Sequence, residues 1–271
     1  MAELVLVFLA PLGMILALVT TLYAIALVLA ENSIMDIFYG PTFVGAFLAV
    51  AAVVPEAHPI FTVLAFLVCV WAFRLAARIA RKNLGKGEDG RYARWRQQWL
   101  ARGRGYFLLR TYLQVFLLQG LIIYVVAFPV TVVAAVGLAF TPVLFWLGLL
   151  VWVVGFTWEV VSDWQLDNFL RDPAHRGEIM QQGLFRFSRR PNYFGEATLW
   201  LGIALIAASV VPPLWWPLLF LSPLTIFSIV YFITGPITEA QWEGNERYEA
   251  YRARTNYFFP WPTRGTEPPS V

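Results

Sequence analysis

The first 73 residues contain neither lysine nor arginine, and apolar stretches of about twenty residues recur along the chain, the length that crosses a hydrocarbon layer roughly 30 Å thick. A water-soluble core cannot absorb them all. Of 271 residues, 59% are apolar and 14% charged, against roughly 25% charged in an average soluble domain. Lipid offers no partner to backbone N–H and C=O groups, so the runs must be helices. The fold class is therefore all-α integral membrane, a seven-transmembrane-helix bundle with spans near 4–30, 37–54, 60–80, 111–137, 142–162, 197–211 and 215–234. The sixth is short and ends at Pro212-Pro213, which cannot continue a helix; Trp215 and Trp216 follow, as expected at a membrane interface.

Charge gives the orientation. The basic segments 81–110, 163–196 and 235–271 follow spans three, five and seven, while the segments on the opposite side carry no Lys or Arg. The positive-inside rule then places the N-terminus outside and the C-terminus in the cytoplasm. The first run follows only Met-Ala-Glu, without the basic region or cleavage site of a signal peptide, and reads as a retained helix. Without repeats or a soluble segment, residues 1–262 form a single membrane domain and 263–271 a flexible tail.

Several chemistries are excluded or weak. The single cysteine, Cys69, lies in the third run and rules out internal disulfides and multi-thiolate metal sites. His58 and His175 fall on opposite sides of the membrane, so no metal site is expected. Gly85, Gly87 and Gly90 spell G-x-G-x-x-G but follow a membrane helix rather than a strand, and no P-loop is present. The net charge of +3 is distributed as a topological signal, so no nucleic-acid partner is expected.

Polar chemistry concentrates in two of the basic segments. From Ser162 to Glu196 the chain holds five Arg and five acidic residues, with Asn192, Tyr193 and Glu196 beside an entering helix. Guanidinium forks suit phosphates, an amide and carboxylates suit ribose and amide groups, and aromatic rings suit a base, so the mixture fits a nucleotide. The plainer alternative makes Arg186, Arg189 and Arg190 positive-inside anchors. Residues 81–96 carry the same two readings, a glycine-rich ligand loop or an amphipathic surface helix with Trp95 and Trp99 in the headgroups. Asp36 and Glu159 lie at the cytoplasmic ends of apolar spans, where an ionisable group is by default functional, although Asp36 could also cap a helix.

The stretch Gly183-Leu-Phe-Arg-Phe-Ser-Arg-Arg-Pro-Asn-Tyr-Phe-Gly-Glu196, preceded by Ser162-Asp163, resembles the membrane steroid 5-alpha-reductase superfamily, most closely its bacterial branch. Asn32 to Asp36, Arg81 to Asp89, and Tyr248-Glu-Ala-Tyr251 through Pro260 extend the likeness over most of the chain, with the reductase-like region at about 111–262. The resemblance implies an NADPH-dependent oxidoreductase acting on CH–CH groups, in a bacterial inner membrane with the cofactor site facing the cytoplasm. Its substrate would be a lipophilic steroid- or isoprenoid-like enone, and membrane lipids its surroundings. It implies that Asp163, Asn192 and Glu196 contact NADPH, with Arg74, Arg171, Arg186, Arg189, Tyr193 and Tyr248 as further cofactor contacts. It makes Asp36 the acid that polarises the substrate carbonyl. Steroid reductases pair that acid with a tyrosine; here Trp71 stands at the expected place on the third span, and an indole can donate a hydrogen bond but not a proton. Tyr39, one turn beyond Asp36, is the substitute. Hydride addition to the β carbon develops an enolate that needs a donor at its oxygen, so Asp36 would have to be held protonated. The alternatives are an S-adenosylmethionine-dependent lipid or isoprenoid methyltransferase, whose C-terminal half looks similar, and a non-enzymatic lipid-binding protein.

Overall fold

The computed structural model describes residues 2–263, and among them every regular element is helical. The helices are α1 (Ala2–Leu29), α2 (Ile34–Val53), α3 (Pro59–Asn83), α4 (Gly90–Leu100), α5 (Arg104–Val126), α6 (Phe128–Val136), α7 (Pro142–Arg171), α8 (Pro191–Ala208), α9 (Pro213–Ala240) and α10 (Glu246–Arg254). Six of them, α1, α2, α3, α5, α7 and α9, are long and apolar enough to cross a membrane. α8 has 18 residues, about 27 Å at the α-helical rise, and carries Asn192 and Glu196 in its first two turns. The tail expected at 263–271 lies, beyond Thr263, outside the described residues.

The helix ends differ from the sequence expectation where they matter most. α2 starts at Ile34 rather than 37, so Asp36 stands in its first turn. α7 continues nine residues past the expected end at 162, and α8 begins at Pro191, six residues early. Hydropathy stops where side chains turn polar, but a helix does not: Pro191 suits a first turn because its missing N–H has no helical partner there anyway. The span expected at 111–137 is two helices, because the chain turns at Ala127 and Pro129 reopens it as α6.

The chain divides into two compact units, Met1–Pro142 with Ala207–Ser222, and Val143–Ile206 with Pro223–Val271. In the first, α2 packs between α1 and α3. Lipid tails are as apolar as leucine, so close backbone approach rather than water exclusion holds such helices together. At Gly40 a Cβ would lie 2.5 Å from the Ala72 carbonyl oxygen of α3. Phe43, Met35, Leu64, Trp71, Phe116 and Ile123 fill the buried centre of this unit. α5 contains a π-helical stretch, Thr111–Leu117. An added residue per wide turn rotates the rest of a helix by about 100°, and Gln119 lies just beyond it.

The second unit is organised by a glycine seam between antiparallel α7 and α8. A Cβ on Gly148 would lie 2.6 Å from the Ile206 nitrogen, one on Gly202 2.5 Å from the Trp152 nitrogen, and one on Gly195 2.5 Å from the Glu159 nitrogen. Gly155 faces the Leu199 backbone as closely. In α9 the π-helical stretch Ile229–Thr234 leaves the Tyr231 carbonyl to accept from Tyr257 Oη at 2.8 Å, and Gly235 makes room for that hydroxyl. Gly155→Leu or Gly202→Leu forces a side chain into opposing backbone. Each should lower stability by about 1–3 kcal/mol or more, read as a lower thermal midpoint of the detergent-purified protein, whereas Gly13→Leu, with nothing within 4 Å, should be nearly neutral.

Candidate functional site

In the first unit the loop before α4 is tied to the turn between α1 and α2. Glu88 Oε1 accepts from the Asn32 backbone nitrogen at 2.8 Å, while Arg96 grips the same carboxylate through two bonds of 2.7 Å. Asp89 caps α4 by accepting from the Arg91 nitrogen at 2.9 Å. Burial works against the charged form of Asp89, but its bonds to Arg91 outweigh that and hold its carboxyl below the usual value. These restraints set the first turn of α4 against Asp36. Tyr92 Oη donates to Asp36 Oδ1 at 2.6 Å, Arg91 Nη2 reaches Oδ2 at 3.3 Å, and Gln119 Nε2 lies 3.4 Å from both Oδ1 and Tyr92 Oη. Tyr92 is buried; that burial, then the Asp36 carboxylate beside it, push its hydroxyl far above the ordinary tyrosine value. The result is a phenol that stays protonated, bonded to a carboxylate with a cationic partner.

Asp36 is thus not the helix cap: Ser33 holds that position, and the carboxylate turns to α4 and α5. Tyr39 and Trp71 are brought together, their rings in edge contact at 6.5 Å with Phe43 against both. Arg74 lies one turn further along α3. Nothing in the sequence pairs Tyr92 with Asp36, because 56 residues separate them. Its signal is visible afterwards: Asp89 is a helix-start residue, and Tyr92, Trp95 and Trp99 then mark one face of α4. Trp99 does not lie bare in headgroups; it is buried, stacked on Trp95 at 5.7 Å and covered by Arg110 at 5.9 Å.

In the second unit the glycine seam continues into a polar rung. Asn192 Nδ2 donates to Asp163 Oδ1 at 3.3 Å, with Glu159 one turn before Asp163 and Glu196 one turn after Asn192. Glu159, Ser162 and Asp163 are all buried. Gln165 Oε1 accepts from the Leu184 nitrogen at 2.9 Å, fastening the loop after α7 next to this rung. Tyr193 Oη lies 3.5 Å from Thr238 Oγ1. Tyr248 is buried and stacked on Trp242 at 5.9 Å, and burial, partly offset by Arg190 and aided by Glu239, pushes its hydroxyl up to about 12. Arg171 and Arg186 are exposed.

Arg189 is built into the protein. Nε and Nη2 meet the Glu239 carboxylate at 2.8 and 3.3 Å, Nη1 donates to the Arg252 and Thr255 carbonyls at 3.2 and 2.6 Å, and the guanidinium lies over the Tyr257 ring. With the Arg189 nitrogen bonded to the Asn256 carbonyl and Ser188 Oγ to that of Phe258, it pins the C-terminal segment to the loop before α8. The histidines serve locally: His58 Nδ1 accepts from the Ile60 nitrogen at the start of α3, and His175 stacks on Phe169 at 4.3 Å.

With six helices long and apolar enough to cross a membrane among the described residues, the chain is an integral membrane protein, and its polar clusters lie at helix ends. The family model described as protein of unknown function DUF1295 matches residues 22–255, and the chain belongs to that family, which is the steroid 5-alpha-reductase-like family. Among curated proteins it is 30% identical over 115 residues to 3-oxo-5-alpha-steroid 4-dehydrogenase 1 of Rattus norvegicus, 42% of this chain and 40% of that protein. It is 41% identical over 64 residues to the protein of the same name from Mus musculus, 23% of this chain and 25% of that protein. The matched stretches thus span less than half the length of these relatives. No solved structure matches the chain.

Removing Arg189 leaves a nearly buried carboxylate without its cation. Arg189→Ala should cost about 3–5 kcal/mol, seen as a large fall in the unfolding midpoint, and a double variant that also replaces Glu239 with Gln should recover part of it.

Proposed function

We propose that the chain is an NADPH-dependent reductase of a carbon–carbon double bond conjugated to a ketone in a lipophilic, steroid- or isoprenoid-like substrate. The family and the names of its curated relatives supply the reaction class, and one observation carries the reading to residues: Tyr92 bonded to Asp36 at 2.6 Å, with Gln119 and Arg91 on the same carboxylate. In this reading α8 is a seventh span and the basic segments face the cytoplasm.

A dinucleotide asks for amide and carboxylate groups at its ribose and amide positions and for cations at its phosphates. The second unit has that donor set: Asn192 on Asp163, Glu196 a turn away, Tyr193, and the exposed Arg171 and Arg186. The residues fit the group, and they are the ones that would hold it. NADPH, when bound, supplies the hydride to the β carbon.

The chain's own part is to manage charge at the carbonyl oxygen. Hydride arrival turns the enone into an enolate, and a neutral donor already aimed at that oxygen stabilises it without reorganisation. Tyr92 is such a donor, since its raised pKa keeps it a phenol at any physiological pH. Its hydrogen, however, points at Asp36. For Tyr92 to give it to the substrate, Asp36 must be protonated and donate to Tyr92 Oη instead, which makes the pair a two-step relay from carboxyl to phenol to enolate oxygen. Gln119, within 3.4 Å of both groups, orients them. Arg91, whose side chain is 53% exposed, is the partner that must move off Asp36 for the relay to load.

Binding and turnover test this separately. The purified protein in lipid nanodiscs should bind NADPH, and Asn192→Ala or Glu196→Ala should abolish that binding. With a 3-oxo-Δ4 steroid as probe enone, Tyr92→Phe and Asp36→Asn should leave NADPH affinity unchanged and lower turnover by about 10²-fold or more. Binding of S-adenosylmethionine in place of NADPH, or of neither, would overturn the reading.

A further inference from the structure

Arg189 and Arg190 are neighbours with opposite surroundings. Every nitrogen of the Arg189 guanidinium is hydrogen-bonded within the protein, to Glu239 and to two carbonyls. Arg190 shares Glu239 only at longer range, that carboxylate being paired with Arg189: its own Nε is buried without an acceptor, and its guanidinium lies over the Tyr193 ring at 5.9 Å. Withdrawing a guanidinium N–H from water without an acceptor is unfavourable. An anion would supply what the protein does not.

Other groups converge on the same place. Tyr248 is 4% exposed, and its Oη, beside the Glu239 carboxylate and within reach of the Arg190 charge, has no partner at full hydrogen-bonding geometry. Held up to about 12, it is a neutral O–H donor at ordinary pH. Tyr193 adds a second hydroxyl, at the far limit of bonding to Thr238 Oγ1 at 3.5 Å. Arg190 directly precedes Pro191, the first residue of an 18-residue helix, so its charge adds to the positive end of that helix. Arg189, Arg190 and Glu239 all act on Tyr251, and Arg190 and Glu239 on Tyr257, so these groups lie in one cluster.

We propose that Arg190, with the hydroxyls of Tyr193 and Tyr248, is a phosphate receptor at the head of α8, taking a phosphate monoester or a diphosphate. On the cofactor reading proposed above, on which this part rests, the phosphate is one of those of NADPH. A lipid phosphate headgroup offers the same chemistry from the other direction. Arg189 holds the receptor in shape, and Arg190 is the residue that meets the ligand.

The full chain in phosphatidylcholine nanodiscs is titrated with NADPH, with 2′,5′-ADP and with pyrophosphate, and in a separate arm is analysed by native mass spectrometry for retained phosphatidic acid. Arg190→Gln should weaken NADPH, 2′,5′-ADP and pyrophosphate by about tenfold or more, the loss expected for one charged hydrogen bond. Tyr248→Phe should weaken them less, and Arg190→Lys should restore part of the binding. The Arg190→Gln thermal midpoint should stay near that of the wild type, unlike the Arg189 variant, which separates loss of a ligand contact from loss of the fold. If the wild type binds no NADPH but holds pyrophosphate or phosphatidic acid through Arg190, the receptor stands and the cofactor reading falls. If Arg190→Gln keeps wild-type affinity for all four ligands, the receptor is overturned.

Discussion

Much of the second unit follows from one steric fact, that α7 and α8 meet backbone to backbone. In lipid there is little to gain by burying one apolar side chain against another, so two helices stay together where small residues let their backbones touch. Gly148 and Gly155 on α7, and Gly195 and Gly202 on α8, repeat every seven residues and form that contact. Because the helices are antiparallel, the rungs run in order: 148 opposite 206, 152 opposite 202, 155 opposite 199, 159 opposite 195. The next rung is Asp163 opposite Asn192, and there the side chains are hydrogen-bonded. A buried carboxylate and an amide are held at this spacing because glycines one and two turns away allow no other.

The first unit meets a different need, that of placing a polar segment against the end of a membrane helix. It does so with ion pairs rather than close packing. The Glu88–Arg96 pair has two short bonds and side chains only 11% and 20% exposed. Isolated surface pairs contribute little to stability, but a bidentate pair that also receives a backbone N–H fixes direction. With Glu88 on Asn32 and Asp89 capping α4, the first turn of α4 has one way to lie, and Tyr92 lies on Asp36. Position is the product of that network; its contribution to stability is secondary.

The membrane-crossing runs were legible in the sequence because their length and composition answer a single solvent requirement. Their ends were not. α7 runs on to Arg171 although its last turns are polar, since a helix leaving the membrane can show Trp164 and Leu170 outward while Ser162, Asp163 and Phe169 stay buried. The motif from Pro191 to Glu196 stands out in the sequence, but its polar side chains read as a segment before the span rather than as the start of α8. Asp36 is marked by its place at a helix end; the family resemblance points to Trp71 or Tyr39 on the adjacent helices as its partner, and hydropathy, which orders only the spans, offers no other. Tyr92 arrives from a short polar helix that hydropathy does not see, and only the capping signal at Asp89 hints at it. Arg189 and Arg190 are alike in sequence, and nothing but the fold of the C-terminal segment distinguishes the one taken up by Glu239 from the one left unmatched.

That last distinction bears on how arginine-rich ends of membrane helices are to be understood. A positive-inside count treats each cation as an equivalent anchor, yet here four arginines have three kinds of environment. Arg96 and Arg189 complete bidentate pairs and organise backbone, Arg91 is an exposed and movable partner of Asp36, and Arg190 is half withdrawn over an aromatic ring without an acceptor. A guanidinium forks in one plane, so once a carboxylate and two carbonyls have taken four of the five N–H groups of Arg189 it can no longer grip a ligand with two parallel bonds. The number of arginines in such a segment is therefore a poor guide to which of them are open to a ligand.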